Sequence, residues 1–91
     1  MKFQYETNRL MYQDETGHIL AEIVFSEQDG VVSIEHTLVD PQLRGQGLAG
    51  IMTQELFAKL KQEGKSVRPV CSYTVRWMDA HPEFDTMRVS E

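Results

Sequence analysis

Hydrophobic side chains alternate along the first half of the chain and recur at helical spacing in the second. The stretch HILAEIVFS (His18 to Ser26) puts Ile19, Ala21, Ile23 and Phe25 on one face, and Leu20 and Val24 on the other with Glu22 between them. That is the two-residue period of a strand. RLMYQ (Arg9 to Gln13) alternates more loosely, and VVSIEHTLV (Val31 to Val39) is rich in β-branched residues, so both read as strands. DETG and EQDG supply the turns, the second through Asp29-Gly30, a strong hairpin signal. No helical pattern separates the three strands, so they should pair antiparallel. Beyond DPQL the period changes. Leu48, Ile51, Met52, Leu56, Phe57 and Leu60 form one apolar stripe at three- and four-residue spacing, and Gly64 ends it, predicting a long helix. SVRPVC (Ser66 to Cys71) reads as a last strand, with Pro69 at an edge or bulge because it lacks an N–H. SYTVRWMDAH predicts a short helix with Ser72 as N-cap, Tyr73 and Trp77 stacked one turn apart, His81 capping its end and Pro82 beyond. PEFD reads as a turn, and the tail after Phe84 carries no pattern.

Composition narrows the classes. The 91 residues predict a single domain spanning 1–91, with no repeat, linker or low-complexity segment. Fourteen acidic against nine basic residues leave a net charge of −5, a poor match for nucleic acid or an anionic membrane. The lone cysteine, Cys71, excludes an internal disulfide and suggests a reducing compartment. With no apolar run of membrane-spanning length and no signal-peptide pattern in MKFQYETNRL, the expectation is a cytoplasmic protein. The five methionines are scattered and read as core filler.

The stretch RGQGLAG holds three glycines, Gly45, Gly47 and Gly50, at the spacing of a dinucleotide-binding turn. The surroundings do not fit that fold. The strands before the loop are joined by hairpins rather than helical crossovers, and no acidic residue stands near Val70 and Cys71 to hold a ribose. A Walker loop fails as well, since no lysine follows. What remains is a strand running through a glycine-rich turn into a helix. The first amides of that helix lack internal partners and face outward at the positive end of its dipole. With Arg44 beside them they suit a pyrophosphate.

LVDPQLRGQGLA, with these features, resembles the acyl-coenzyme A signature of the GCN5-related N-acetyltransferases, Gln/Arg-x-x-Gly-x-Gly/Ala after a strand. Two registers fit, Arg44-x-x-Gly47-x-Ala49 and Gln42-x-x-Gly45-x-Gly47; the V-x-P spacing of Val39 and Pro41 favours the first. The chain is similar to a group of very short, YjdJ-type members through His36-Thr37, Leu43 to Gly47, Pro69-Val70-Cys71-Ser72-Tyr73 and His81-Pro82-Glu83. The resemblance runs from about Asn8 to Phe84. It implies an α+β fold: a mostly antiparallel sheet with one splayed parallel strand pair, a long helix after the glycine loop and a short C-terminal helix. It also implies acetyl-coenzyme A (acetyl-CoA), with its pantetheine arm along Thr37, Leu38 and Val39 and its pyrophosphate on the amides of Arg44, Gly45, Gln46, Gly47, Leu48 and Ala49. Full-length members wall the acceptor site with extra N-terminal elements that have no counterpart here. The acceptor side is therefore expected to be open, and a protein partner is one way to complete it.

Acyl transfer to an amine needs a neutral amine, a donor for the carbonyl oxygen and a proton for the departing thiolate. Cys71, at a helix start, is a candidate covalent acyl carrier, or else a small buried apolar residue. Tyr73 is a candidate acid for the leaving sulfur, or else a core aromatic against Trp77. His36 is a candidate base; Ile34, His36 and Leu38 fall on one face by strict alternation, which equally predicts a partly buried structural histidine. Glu35 points the other way and reads as a solvated glutamate, less readily as a base acting through water. The expected activity is acetyl transfer from acetyl-CoA to a small or protein-borne amine. A CoA-binding module with little turnover and an interaction domain with a non-binding loop are the alternatives.

Overall fold

A computed structural model describes residues 3–89 of the chain. Five strands form one sheet in sequence order: β1 (Phe3–Glu6), β2 (Arg9–Gln13), β3 (Ile19–Gln28), β4 (Val31–Val39) and β5 (Ser66–Pro69). The first four are an antiparallel meander. Helix α1 (Leu48–Gln62) then crosses over so that β5 lies parallel to β4. Helix α2 (Ser72–Asp79) and a 3-10 segment (Pro82–Met87) complete the fold. This is the α+β architecture expected, with the parallel pair at the predicted place. Pro69 lies at the end of the edge strand β5, where its missing N–H costs no ladder bond.

Several local expectations change. β1 was invisible in the sequence reading, although Phe3 and Tyr5 alternate with Gln4 and Glu6; Tyr5 Oη donates to Glu55 (3.0 Å) and ties this strand to α1. Beyond the expected turn, Pro82–Met87 forms a 3-10 segment with Phe84 and Met87 in the core. Ser72 is the first residue of α2, and Cys71 is its N-cap. Trp77 stacks on His81 (3.8 Å between centroids, 13° between planes) rather than on Tyr73, and His81 Nδ1–H donates to the Trp77 carbonyl (2.6 Å), capping the helix as expected. Ile51 is 45% exposed and Thr53 is buried, so the stripe of α1 is rotated toward Thr53. Met52, Met78 and Met87 lie in the core, as filler should; Met11 is buried on the other sheet face, opposite Gln4 and Glu22, and Met1 lies outside the described residues.

One hydrophobic cluster joins the inner sheet face (Leu10, Ala21, Ile23, Phe25, Val32, Ile34, Val67) to α1, α2 and the 3-10 segment. Phe57 is fully buried, 4.8 Å from the Trp77 ring and 5.4 Å from that of Phe84. Helix α1 stops where Gly64 turns left-handed (φ 72°), with Lys65 N–H bonded to Leu60 O and Gly64 N–H to Lys61 O. Those two bonds make a Schellman cap, as the glycine predicted. The outer sheet face mixes apolar side chains such as Met11, Val24 and Leu38 with charged ones: Arg9 bridges Glu6 and Glu22, and Ser26 donates to Glu35.

The strand β4 breaks its alternation. Val24 pairs with His36, but Phe25 pairs with Ile34, so Glu35 is an extra residue in β4 opposite none in β3. The bulge puts Glu35 and His36 on the same outer side. Ile34 before it is 1% exposed and faces the core; His36 and Leu38 after it are exposed. Strict alternation had grouped Ile34, His36 and Leu38, and the bulge overturns that grouping together with the partly buried histidine it implied. Thr37 and Val39, paired with Ile23 and Ala21, take the inward side instead.

The core reading predicts that Phe57→Ala costs about 3–5 kcal/mol in urea unfolding, whereas Leu38→Ser, on the bare outer face, changes stability by about 0.5 kcal/mol or less. Equal losses would contradict the placement of these residues.

Candidate functional site

The site grows from the point where β4 and β5 part. Their ladder runs only from Val31↔Ser66 to Ile34↔Pro69. The amides of Val70 (3.0 Å) and Cys71 (2.9 Å) then both donate to the Ile34 carbonyl, which turns the chain into α2. The bulge at Glu35 bends β4 away at the next residue. Among the described residues, no strand pairs with 35–39 on the side facing β5. That edge offers unpaired backbone groups along an opening between two strands.

The glycine loop closes the near end. Asp40 accepts the Gln42 amide (2.9 Å) and starts a 3-10 turn over Pro41–Leu43. Gly45 (φ 84°) and Gly47 (φ 78°) both take left-handed backbone, which disfavours side chains there. A Cβ on either would touch nothing, so it is backbone geometry and not crowding that requires glycine. Gly50 differs: it is helical, and its would-be Cβ lies 3.6 Å from the Tyr73 hydroxyl. Gly47 caps α1 without a side-chain bond, and among the described residues no protein acceptor takes the amides of Leu48, Ala49 and Gly50. These are the orphan donors of a helix start. Arg44 Nε–H donates to the Val39 carbonyl (3.3 Å), holding its guanidinium over the loop.

A groove of about 240 Å³ is lined by Val39, Leu43, Arg44, Gly45, Gly47, Leu48, Ala49, Gly50 and Tyr73. It brings together most of the residues expected to hold pyrophosphate and pantetheine, and adds Tyr73. Gln46 faces a separate hollow of about 160 Å³ with Tyr12, Leu20, Leu43, Leu48 and Ile51. A larger hollow, about 320 Å³, is a shallow trough over Ile19–Glu22 and Leu38–Asp40. It has neither the glycine loop nor the helix start, so its size does not make it the better candidate.

The side chains expected to do chemistry divide in two groups. Cys71 and Tyr73 lie at the start of α2 beside the opening, with the Cys71 thiol donating to Thr37 Oγ1 (3.8 Å). His36 stands on the outer face, away from the groove lining. Burial pushes the Cys71 thiol up, but the Thr74 amide, the Thr37 hydroxyl, the Tyr73 amide and the Thr74 hydroxyl together outweigh it, and the thiol titrates below its ordinary range. Burial also raises the Tyr73 phenol, against the opposing pull of Thr53 and the Arg76 charge, so Tyr73 keeps its proton. The sequence reading missed Thr74, which lies three residues beyond Cys71 and is 1% exposed.

A parallel pair that parts over a glycine turn feeding a helix is the arrangement implied by the resemblance above; the β4 bulge at which it opens is an addition of the structure. A family model described as GCN5-related N-acetyl-transferase matches residues 8–87. The chain belongs to the GCN5-related N-acetyltransferases. A GCN5-like protein from Staphylococcus aureus, solved in solution, shares its fold at 18% identity, covering 99% of this chain and 89% of that one with a TM-score of 0.80. A GNAT family N-acetyltransferase (YhbS) from Escherichia coli, solved in complex with CoA, is 29% identical over 65% of this chain and 37% of its own, with a TM-score of 0.58. The ribosomal-protein-S18-alanine N-acetyltransferase of E. coli is 17% identical, covering 85% of this chain and 53% of that one with a TM-score of 0.65. Against these two E. coli acetyltransferases, this family member spans only 37% and 53% of their length. No curated protein sequence matches it. Among the described residues, no helix is long and apolar enough to cross a membrane, and no cluster of side chains could hold a metal ion.

The two kinds of glycine should respond oppositely. Gly47→Ala is expected to cost about 1–2 kcal/mol from left-handed strain alone, while Gly50→Ala gains up to about 1 kcal/mol of helix propensity. Urea unfolding of the two variants checks the sign.

Proposed function

We propose that this chain is a minimal single-domain acetyltransferase, of the short YjdJ-type, that moves an acetyl group from acetyl-CoA to an amine. The observation that carries the reading is the set of unclaimed amides at the start of α1, set between two left-handed glycines and an open strand edge. An anion of pyrophosphate type suits the first feature and an amide-bearing arm suits the second. The amides of Gly45 to Ala49 with Arg44 would hold the diphosphate, and the backbone of Thr37, Leu38 and Val39 would receive the arm. The Val39 carbonyl is already taken by Arg44, so that contact would be exchanged or shared. Acetyl-CoA, when bound, supplies an activated thioester.

Cys71 is assigned the role of acyl carrier: with acetyl-CoA bound, its thiolate would take the acetyl group by displacing the CoA sulfur, and the amine would then displace the Cys71 sulfur to give the amide. Tyr73, held protonated, is assigned the proton for the departing sulfur. His36 stands on the outer face while the Cys71 sulfur sits by the inward Thr37, so this route passes the amine's proton to water. The cytoplasm suits a lone reactive thiol that must stay reduced.

A second reading, a CoA-binding module without turnover, is favoured by the bare outer face, where Leu38 is 55% exposed and no element of the described chain walls an acceptor. A partner protein docking there would reconcile the two.

Acetyl-CoA at about 100 times its Kd should stabilise the fold by about 2.7 kcal/mol, read as a rise in Tm; no rise would refute both readings. Deleting Glu35 removes the bulge while keeping Ile34 inward and His36 outward. That variant should fold and lose the acetyl-CoA response. For the covalent route, intact mass after acetyl-CoA exposure should show one acetyl on the wild type and none on Cys71→Ala; full turnover by Cys71→Ala would reduce the cysteine to a structural part.

A further inference from the structure

The start of α2 reads Cys71-Ser72-Tyr73-Thr74, with Cys71 at N-cap and Thr74 three residues on at N3. In a capping box the N-cap side chain receives the N3 amide, and the N3 side chain reaches back to the N-cap amide. Here the second half of that exchange is pre-empted. The Cys71 amide is already bonded to the Ile34 carbonyl (2.9 Å), the same carbonyl that ends the β4–β5 ladder. The Thr74 hydroxyl is left with no nitrogen or oxygen partner, although it is fully enclosed in a residue 1% exposed. An enclosed hydroxyl without a partner is costly, and the Cys71 sulfur at the N-cap lies within its reach.

As a neutral thiol, that sulfur is a poor acceptor. It donates its own proton to Thr37 Oγ1 (3.8 Å), and no side-chain cap bond forms at the helix start. Ionised, it loses that donor and becomes a strong acceptor. The Thr74 amide, the Thr74 hydroxyl and a rotated Thr37 hydroxyl then all find a partner at once. We propose that Thr74 is a positioning residue whose enclosed hydroxyl, with the Thr37 hydroxyl and the helix-start amides, forms a cradle that holds Cys71 as a nucleophilic thiolate. The inference rests on the reading of Cys71 as a nucleophile and extends it to a residue that contacts neither donor nor acceptor.

The groups that face the sulfur come from two elements. From β4 it is Thr37; from α2 they are Thr74 and Tyr73, the phenol of which senses the Cys71 charge and is in turn drawn down by Arg76. Tyr73 stays protonated over the range in which a low-titrating thiol ionises, so a titration seen there belongs to Cys71.

The test is the pH dependence of alkylation by iodoacetamide, with no acetyl-CoA present. The chain has one cysteine, so the modified mass reports Cys71 alone. Losing a hydrogen bond to the charged form should move the midpoint up by about one pH unit in Thr74→Val, a roughly tenfold slower reaction at pH 7, with the same rate at high pH. Thr74→Ser keeps the hydroxyl and should titrate as the wild type. An unchanged midpoint in Thr74→Val, or a shift in Thr74→Ser as large as in the valine variant, overturns the proposal. Should the valine variant fail to fold, the Thr74 methyl resonance of the wild type decides: it should follow the Cys71 midpoint, and a flat resonance overturns the proposal. Because alkylation needs no acyl donor, this result and the acetyl-adduct result can fail independently.

Discussion

The Ile34 carbonyl governs the molecule. It receives the amides of both Val70 and Cys71, and so fixes in one place the end of β5, the start of α2 and the last point at which β4 has a neighbour on that side. The extra residue Glu35 follows immediately. A bulge tightens local twist and bends the strand that carries it. Had β4 continued straight, a strand two or three residues longer at β5 would have paired along Thr37 and Val39 and sealed the opening. The fold therefore makes a cleft by stopping a ladder and not by excavating a core.

Most of the architecture was legible because it rests on periodicity. The alternation in Ile19–Phe25 and the three-four spacing of Leu48–Leu60 survive almost unchanged, and Gly64 ends α1 by the mechanism its residue type suggests. The errors share a cause as well. Strict alternation through β4 assigned His36 and Leu38 to the face of Ile34, because a bulge leaves no mark in composition: Glu35 is an unremarkable strand residue, and only its pairing reveals it as the surplus one. The short edge strand Phe3–Glu6 and the segment Pro82–Met87 owe their order to tertiary contacts with Tyr12, Glu55, Phe57 and Trp77, which no local pattern encodes.

At the site, the loop was readable and the chemistry around the thiol was not. Three glycines and an arginine in seven residues announce an unusual turn, yet the structure gives only two of the glycines a reason, left-handed backbone at Gly45 and Gly47, while a Cβ at Gly50 would meet the Tyr73 hydroxyl at an ordinary contact distance of 3.6 Å. Thr74 went unnoticed since a threonine within a short helix usually signals nothing. Its significance lies in the Cys71 amide being engaged elsewhere, which is a fact of sheet topology. The N-cap and N3 spacing of Cys71 and Thr74 was the one signal that could have found it.

The sheet order also sets an order of assembly. Strands β1 to β4 are neighbours in sequence and in space, so each hairpin closes a short loop at small entropic cost. The β4–β5 pair is different: residues 40–65 must be gathered before its first bond can form. Long-range closure of that kind comes late in folding, so the cleft is the last seam to be drawn in an otherwise locally wired protein.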